Sequence, residues 1–279
     1  MALPVIFAAN DLKIVPPKRD GPKPQPAEIL MSHLITTCTD RIARLTLNRP
    51  DAYNALNEEM VQELEAYFSS LMYNEKAGVL IIDGGEAKGF CAGLDMNSYG
   101  PEIFGMKPVD AYNAQARMSR LMLAMRRIPQ PVISCIHGAA AGIGFSMAMA
   151  SDIRILAEGA RFSAAYINIG LGGADMASSY FLPRLIGSGR ANEFLLTGNW
   201  LSDTDAMDLG FASRLLKKEE MLPQALELAT TMLSKNPLGI RMTKEAINAN
   251  IDAGGLEACL QMEDRNQMLM AFAMHHPAR

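Results

Sequence analysis

Two glycine-bearing turns carry the residue types best suited to chemistry. The first is Lys88-Gly89-Phe90-Cys91-Ala92-Gly93-Leu94-Asp95-Met96, and the second is His137-Gly138-Ala139-Ala140-Ala141-Gly142-Ile143-Gly144-Phe145-Ser146. Glycine permits positive φ and lets backbone approach a ligand closely, so each turn can aim an N–H at an anionic oxygen. Two such donors make an oxyanion hole. The second turn also opens a helix, where unpaired N–H groups and the dipole favour negative charge. Taken singly, each also reads as an ordinary tight turn. Neither is a dinucleotide site, because Gly142-Ile143-Gly144 lacks the third spaced glycine and a following acidic ribose partner, and no phosphate-binding lysine loop is present.

The elements that must position these turns follow from the apolar pattern. Ile42 to Leu47 reads as a strand, and Asn57 caps a helix in which Met60, Leu64, Tyr67, Phe68 and Leu71 share a face. Val79 to Asp83 is a short buried strand that delivers the first turn. Asp110 opens a second helix, with Ala114, Met118, Leu121, Met122 and Met125 at helical spacing, stopped before Pro129. Val132 to Ile136 is the strand that delivers the second turn. This alternation predicts an α/β core with parallel pairing, because parallel neighbours need crossovers and a helix is the usual one.

From about residue 200 the pattern is almost wholly helical, with apolar stripes at Leu222 to Leu233 and Arg241 to Ile251 and then the Met262, Met268, Met270, Phe272 series. Most of the twenty methionines sit at core spacing and read as packing. Residues 1–30 hold Pro16, Pro17, Pro22, Pro24 and Pro26 among charges, a composition that favours an extended appendage. The expected division is a proline-rich extension over 1–30, an α/β core over 31–200 and a helical oligomerisation region over 201–279.

Composition bounds the remaining classes. At 279 residues, 49% hydrophobic and 20% charged, the chain can bury a large core and is not wholly disordered. A formal net charge of −4 gives no electrostatic case for nucleic acid. Cys38, Cys91, Cys135 and Cys259 lack paired metal-ligand spacing, so no metal site is expected and a reduced, cytoplasmic protein is the default. No apolar stretch reaches the length of a membrane span; even the run from Val132 to Ala150 contains His137 and several glycines.

From Ile42 to near the C-terminus the residues resemble the crotonase, or enoyl-CoA hydratase/isomerase, superfamily. The markers are Leu47-Asn48-Arg49-Pro50 with Asn54-Ala55-Leu56, the Phe90 to Asp95 loop, and Pro131-Val132 leading into Gly138 and Gly142-Ile143-Gly144. Leu182-Pro183-Arg184-Leu185-Ile186-Gly187 and Leu196-Thr197-Gly198 follow in order. The resemblance implies a spiral of ββα turns, a helical C-terminal region, and homotrimers or dimers of trimers. It implies an acyl-CoA thioester as substrate, with no separate cofactor and no membrane or nucleic-acid partner. By position the oxyanion donors would be the amides of Leu94 and Ile143. Ala52, Asn54, Ala92, Gly93, Asp95, Met96, Ala141, Gly142 and Ile169 would contact substrate.

The departures from the family pattern bear on the reaction. Hydratases resembling this chain carry glutamates at the positions of Ser146 and Tyr166, and neither serine nor tyrosine is a base at neutral pH without activation. Asp175 is the replacement candidate, near the place of an aspartate in dienoyl-CoA isomerases and chlorobenzoyl-CoA dehalogenases. Two readings of it stay open: a proton-transfer carboxylate, or the cap of a helix beginning near Met176. Dehalogenation is disfavoured, because the Ala114 to Arg127 stretch has no histidine. Tyr166 either donates a hydrogen bond to the acyl group or closes the pocket with its ring. His137 reads as a structural hydrogen bonder, Asp95 as a loop organiser, and Asp152 with Arg154 as a structural pair. His33, His275 and His276, near the ends, read as solvated. The resulting expectation is an acyl-CoA enzyme of isomerase or hydratase type that stabilises a thioester enolate; the alternative is a catalytically silent acyl-CoA-binding or scaffolding member.

Overall fold

The computed structural model describes residues 31–252 and 255–275, with side chains through Met270. The expected N-terminal extension, and the expectations for His275 and His276, lie outside what is described. Strand β1 (Leu34–Thr39) runs antiparallel to β2 (Ile42–Leu47), and a single-turn helix at Pro50–Ala52 follows. Helix α1 (Glu58–Leu71) starts where Asn57 Oδ1 accepts the Met60 N–H at 3.0 Å, and it buries the face read from its spacing. Then come β3 (Val79–Asp83), α2 (Tyr99–Gly105) and α3 (Pro108–Arg127). Helix α3 begins two residues before Asp110, because Pro108 is preset for the first helical turn. It stops at Arg127, ahead of Pro129.

The next units are β4 (Val132–Ile136), β5 (Ala139–Ala141) and α4 (Ile143–Ala150), then β6 (Ile153–Ala157), β7 (Arg161–Ser163) and α5 (Ser178–Ile186), with a short 3₁₀ helix at Ala165–Ile169 between the last two. Helix α6 (Ser188–Thr197), β8 (Leu201–Ser202), α7 (Asp203–Asp208), β9 (Arg214–Leu216), α8 (Lys218–Leu233), α9 (Pro237–Asn250) and α10 (Leu256–His275) complete the order. The large sheet runs β1-β2-β3-β4-β6-β9 and is parallel after the first pair; β5, β7 and β8 make a second, small sheet. Isolated parallel bridges Leu56↔Leu94 and Cys91↔Ala140 carry the small ladder back into the earlier units. Each turn of the spiral is therefore one large-sheet strand, one short-ladder segment and one helix.

Alternation within the strands explains the core. Leu80 and Ile82 of β3 join one large cluster with residues of α1, α3 and α4. Val79 and Ile81 face the other way, onto Ile133, Ile155 and the α8 residues Met221, Ala225 and Ala229. With both faces covered, β3 and β4 read as continuous apolar runs.

Two sequence expectations need correction here. The stretch beyond residue 200 is not wholly helical: β8 and β9 extend the two sheets, and Ala206, Phe211 and Met221 are core residues. The boundary placed at residue 200 therefore does not divide the fold. Strands of two or three residues carry no readable period. Nor do Asp152 and Arg154 form a pair. Asp152 binds Arg126 at 3.1 Å and Lys244 at 2.9 Å, tying α9 to α3, while Arg154 donates to the carbonyls of Phe211, Ser151 and Ala148.

Candidate active site

Strands β3 and β4 deliver the two glycine turns side by side. The Cys91 N–H donates to Ala139 at 3.2 Å, and the Ala141 N–H donates to the Cys91 carbonyl at 2.9 Å. At the apex Gly93 and Gly142 have φ of 105° and 51°, values that an L side chain rarely adopts. A Cβ on Gly142 would sit 3.7 Å from the Gly93 Cα and 3.8 Å from the Tyr166 ring. A side chain there would thus just touch both the first turn and the tyrosine, so the two turns and the ring lie close together.

The amides that follow these glycines are unused. Leu56 pairs with the Gly93 carbonyl and the Asp95 N–H, at 2.8 and 2.9 Å, and passes over the Leu94 N–H between them. That N–H has no acceptor among the described residues. Ile143 is the first residue of α4, and its N–H likewise finds none. First-turn helix amides have no intrahelical partner, so this one is left for another acceptor.

Asp175 approaches from the segment before α5. It does not cap that helix in the expected way: α5 begins at Ser178, and Ala177 in the cap position offers no side-chain bond. Met176 and Ala177 take φ of 45° and 66°, a left-handed step that costs roughly 1 kcal/mol or more for each non-glycine residue and delays the helix. Asp175 Oδ1 accepts the Met176 N–H at 2.7 Å and the Gln115 side-chain N–H at 2.6 Å. Oδ2 takes no hydrogen bond from any described residue. Burial pushes the carboxyl up from its ordinary value, and those two donors pull against it.

Tyr166 is buried, and its hydroxyl has one long contact, 3.4 Å to the Asp175 carbonyl oxygen. Burial also raises the phenol, against the pull of the nearby Ser178 and Ser146 hydroxyls. Ser146 Oγ lies on this side of α4, fully buried, yet without a contact of hydrogen-bond geometry among the described residues. A cavity of about 450 Å³ adjoins Ala177 between α3, α5 and α9, with Met122, Leu123 and Phe181 on one part of its wall and Arg126, Lys244 and Asp252 on another.

The residues expected to contact substrate separate into two groups. Ala92, Met96 and Ile169 are exposed, Ala52 is half-buried, and Gly93, Ala141 and Gly142 form the joined turns. The side chains of Asn54 and Asp95 are bonded within the scaffold, as the loop-organiser reading of Asp95 expects. Asn54 is fully buried; its Oδ1 takes the Arg49 N–H at 2.8 Å and its Nδ2 donates to the carbonyls of Gly84 and Phe90. Asp95 pairs with Arg49 at 2.9 Å and accepts the Asn97 N–H. Burial alone would raise the Asp95 carboxyl, but Arg49, Asn97 and Ser98 outweigh it and hold it below its ordinary value. The His137 Nε2–H donates to the Ala87 carbonyl oxygen at 2.7 Å, and burial holds its pKa down, consistent with a structural role. His33 is half-buried rather than solvated, and its ring reaches Asn57 at 3.2 Å.

Sequence reasoning missed Gln115 and Ser178. Gln115 sits beside the apolar stripe of α3 with no motif around it, and Ser178 Oγ accepts the Asp175 N–H at 3.0 Å. The packing of α3 against the segment before α5 reveals Gln115, and the delayed start of α5 reveals Ser178.

Comparison with known proteins agrees with this architecture. The family model for enoyl-CoA hydratase/isomerase matches residues 37–276. A Mycobacterium tuberculosis protein named as an enoyl-CoA hydratase is 34% identical over 232 residues, spanning 82% of this chain and 81% of that one. The 1,2-epoxyphenylacetyl-CoA isomerase of Escherichia coli is 30% identical over 240 residues, 86% of this chain and 90% of its own. A crystal structure of a Streptomyces coelicolor protein described as an enoyl-CoA hydratase superposes with a TM-score of 0.84 at 29% identity, covering 93% of this chain and 92% of the other. On this match the chain belongs to the enoyl-CoA hydratase/isomerase family.

Proposed function

We propose that this enzyme isomerises an enoyl-CoA thioester through an enolate, moving a double bond from the β,γ to the α,β position. The observation that carries the reading is the pair of unused N–H groups, Leu94 and Ile143, on two turns bonded to each other. The thioester carbonyl oxygen lies between these amides. Asp175 Oδ2 takes a proton from the α carbon; the C–H electron pair moves toward the carbonyl, and the amides meet the charge that builds on its oxygen. The same carboxyl then returns the proton to the γ carbon, the electrons flow back, and the carbonyl is restored. Each preorganised donor is worth about 3 kcal/mol in such a transition state.

A single carboxylate suffices for this shift, because one proton leaves and one returns. Hydration asks for a group to activate water as well as a proton donor. Ser146 and Tyr166, at the positions where the family resemblance implies glutamates, are neutral at physiological pH. The raised phenol supports that assignment for Tyr166. The cavity beside Ala177 offers apolar wall for an acyl tail. The CoA thioester is the substrate, and no cofactor enters.

Oligomerisation is part of the proposal. Leu256, Leu260, Met268 and Leu269 of α10 are exposed at 73, 47, 55 and 53%. Such a face supports a homotrimer or a dimer of trimers. No described helix is long and apolar enough to cross a membrane, and the cytoplasm is the proposed location.

The test is turnover of straight-chain and branched β,γ-enoyl-CoAs in heavy water, read by NMR. The expected product is the α,β-enoyl-CoA with label exchange at the α and γ carbons. Tight binding of CoA thioesters with no turnover of any would overturn the isomerase reading in favour of a silent acyl-CoA-binding member.

A further inference from the structure

Asp175 is held from two directions. The Met176 N–H, next along the chain, donates to Oδ1 at 2.7 Å, and the Gln115 amide reaches the same oxygen from α3 at 2.6 Å. Oδ2 takes no hydrogen bond from any described residue. Among the described residues one carboxylate oxygen is fixed twice and the other has no donor.

We propose that Gln115 is the positioning residue for the proton-transfer carboxylate: its amide clamps Oδ1 and so presents Oδ2 to the acyl group as the oxygen that carries the proton. This rests on the enolate reading given above. The choice of side chain fits the task. A cation at this place would stabilise the anion strongly and leave a weak base, whereas an apolar residue would leave only the Met176 N–H to oppose burial. A neutral N–H donor orients the carboxylate and only moderates its basicity. The direction of the two influences on Asp175, burial upward and the Gln115 and Met176 donors downward, agrees with this.

Few other charges compete for the carboxylate. Helix α4 has no ionisable residue. On α3, Arg117 is committed to Glu65 at 2.5 Å and Arg126 to Asp152 at 3.1 Å, with Asp110, Arg120 and Arg127 the remaining charges. On α5, the Tyr180 hydroxyl binds Asp252 at 2.7 Å, and Arg184 lies 3.9 Å from the same carboxylate. Tyr166 is the titratable group in direct contact, and it stays neutral across the useful pH range.

Two measurements on the full-length protein test the proposal. One is NMR titration of the Asp175 carboxyl carbon after labelling aspartate, assigned by its loss in Asp175→Asn; the other is the pH profile of kcat/KM on a β,γ-enoyl-CoA. Gln115→Met keeps the length and loses the donor. It is expected to raise the Asp175 titration and the acidic limb by about one pH unit, and to lower kcat roughly 10-fold with KM little changed. Gln115→Lys should move both titrations down. If the Met variant fails to fold, Gln115→Asn, which withdraws the donor by one methylene, carries the same expected upward shift. Unmoved titrations in folded variants, with Asp175→Asn inactive, would overturn the role of Gln115 alone. Wild-type turnover in Asp175→Asn would overturn the proton-transfer reading and the positioning role with it.

Discussion

Cys91 and Ala141 join two units of the spiral backbone to backbone: the Ala141 N–H donates to the Cys91 carbonyl at 2.9 Å, while the Cys91 N–H reaches back to Ala139. The bond sets the two glycine turns, and the amides that follow them, in fixed relation. Its closeness depends on a residue outside the proposed hole. A Cβ on Gly144 would run into the carbonyl oxygen, Cβ and Sγ of Cys91.

Gly144→Ala is therefore expected to push the turns apart. The cost should be about 1–3 kcal/mol of stability, as for other overpacked sites, with a fall in kcat of roughly 10-fold or more. Thermal melts and steady-state kinetics give both numbers. A variant as stable and active as wild type would show that the turns tolerate separation.

Ile143 separates backbone from side-chain function. Proline is well accepted at the first position of a helix, so Ile143→Pro should keep α4 while deleting one donor. Turnover should drop roughly 100- to 1000-fold with the circular dichroism unchanged. Ile143→Gly retains the N–H and should keep measurable activity, although losing a side chain only 1% exposed will lower the melting temperature. Equal inactivation by both variants, each folded, would assign the position to packing.

Asp175→Asn should lower kcat by about 100-fold while acyl-CoA affinity stays near wild type, since the amide fills the same space but cannot take a proton. Tyr166→Phe should change kcat by only a few-fold, because its hydroxyl has one long contact. Single-turnover kinetics beside equilibrium binding separate the two. A collapse in the phenylalanine variant alone would move the acid/base role to the phenol.

The same substitution couples to pH through stability. Burial places the folded Asp175 carboxyl above its ordinary value, so folding favours its protonated form. That contribution is present below the unfolded pKa, near 3.9, and is lost as pH rises through the raised folded value. At neutral pH the buried anion is a cost. Asp175→Asn should therefore be at least as stable as wild type at neutral pH, with any advantage shrinking toward about pH 4. Denaturant melts at the two pH values check the sign.

Helix α10 presents Leu256, Leu260 and Leu269 to solvent in the single chain. Light scattering at micromolar concentration should give a trimer or hexamer, and replacing Leu256 and Leu260 together by glutamate should lower the mass toward that of a monomer. A wild-type chain that is already monomeric would remove this role from α10.

Local pattern determined most of the framework. The apolar runs of β2, β3 and β4, the Asn57 cap and the stop before Pro129 are each set by a few adjacent residues, so they were legible without the fold. The two glycine turns were legible for the same reason, whereas the choice of the Leu94 and Ile143 amides came from the family resemblance. What the sequence could not decide was which polar groups would be consumed by the scaffold. The resemblance puts Asn54 and Asp95 among the binding residues, yet partners thirty to forty-six positions away hold their side chains. Along the chain Asp175 reads as a cap or as a proton-transfer carboxylate; the left-handed step at Met176 and Ala177 delays α5 and leaves the carboxylate facing Gln115, sixty positions upstream. Hydrogen bonds of that reach are set by how helices pack, and neither periodicity nor local propensity encodes them; tertiary structure alone decided which oxygen of Asp175 the described residues bind and which they leave without a donor.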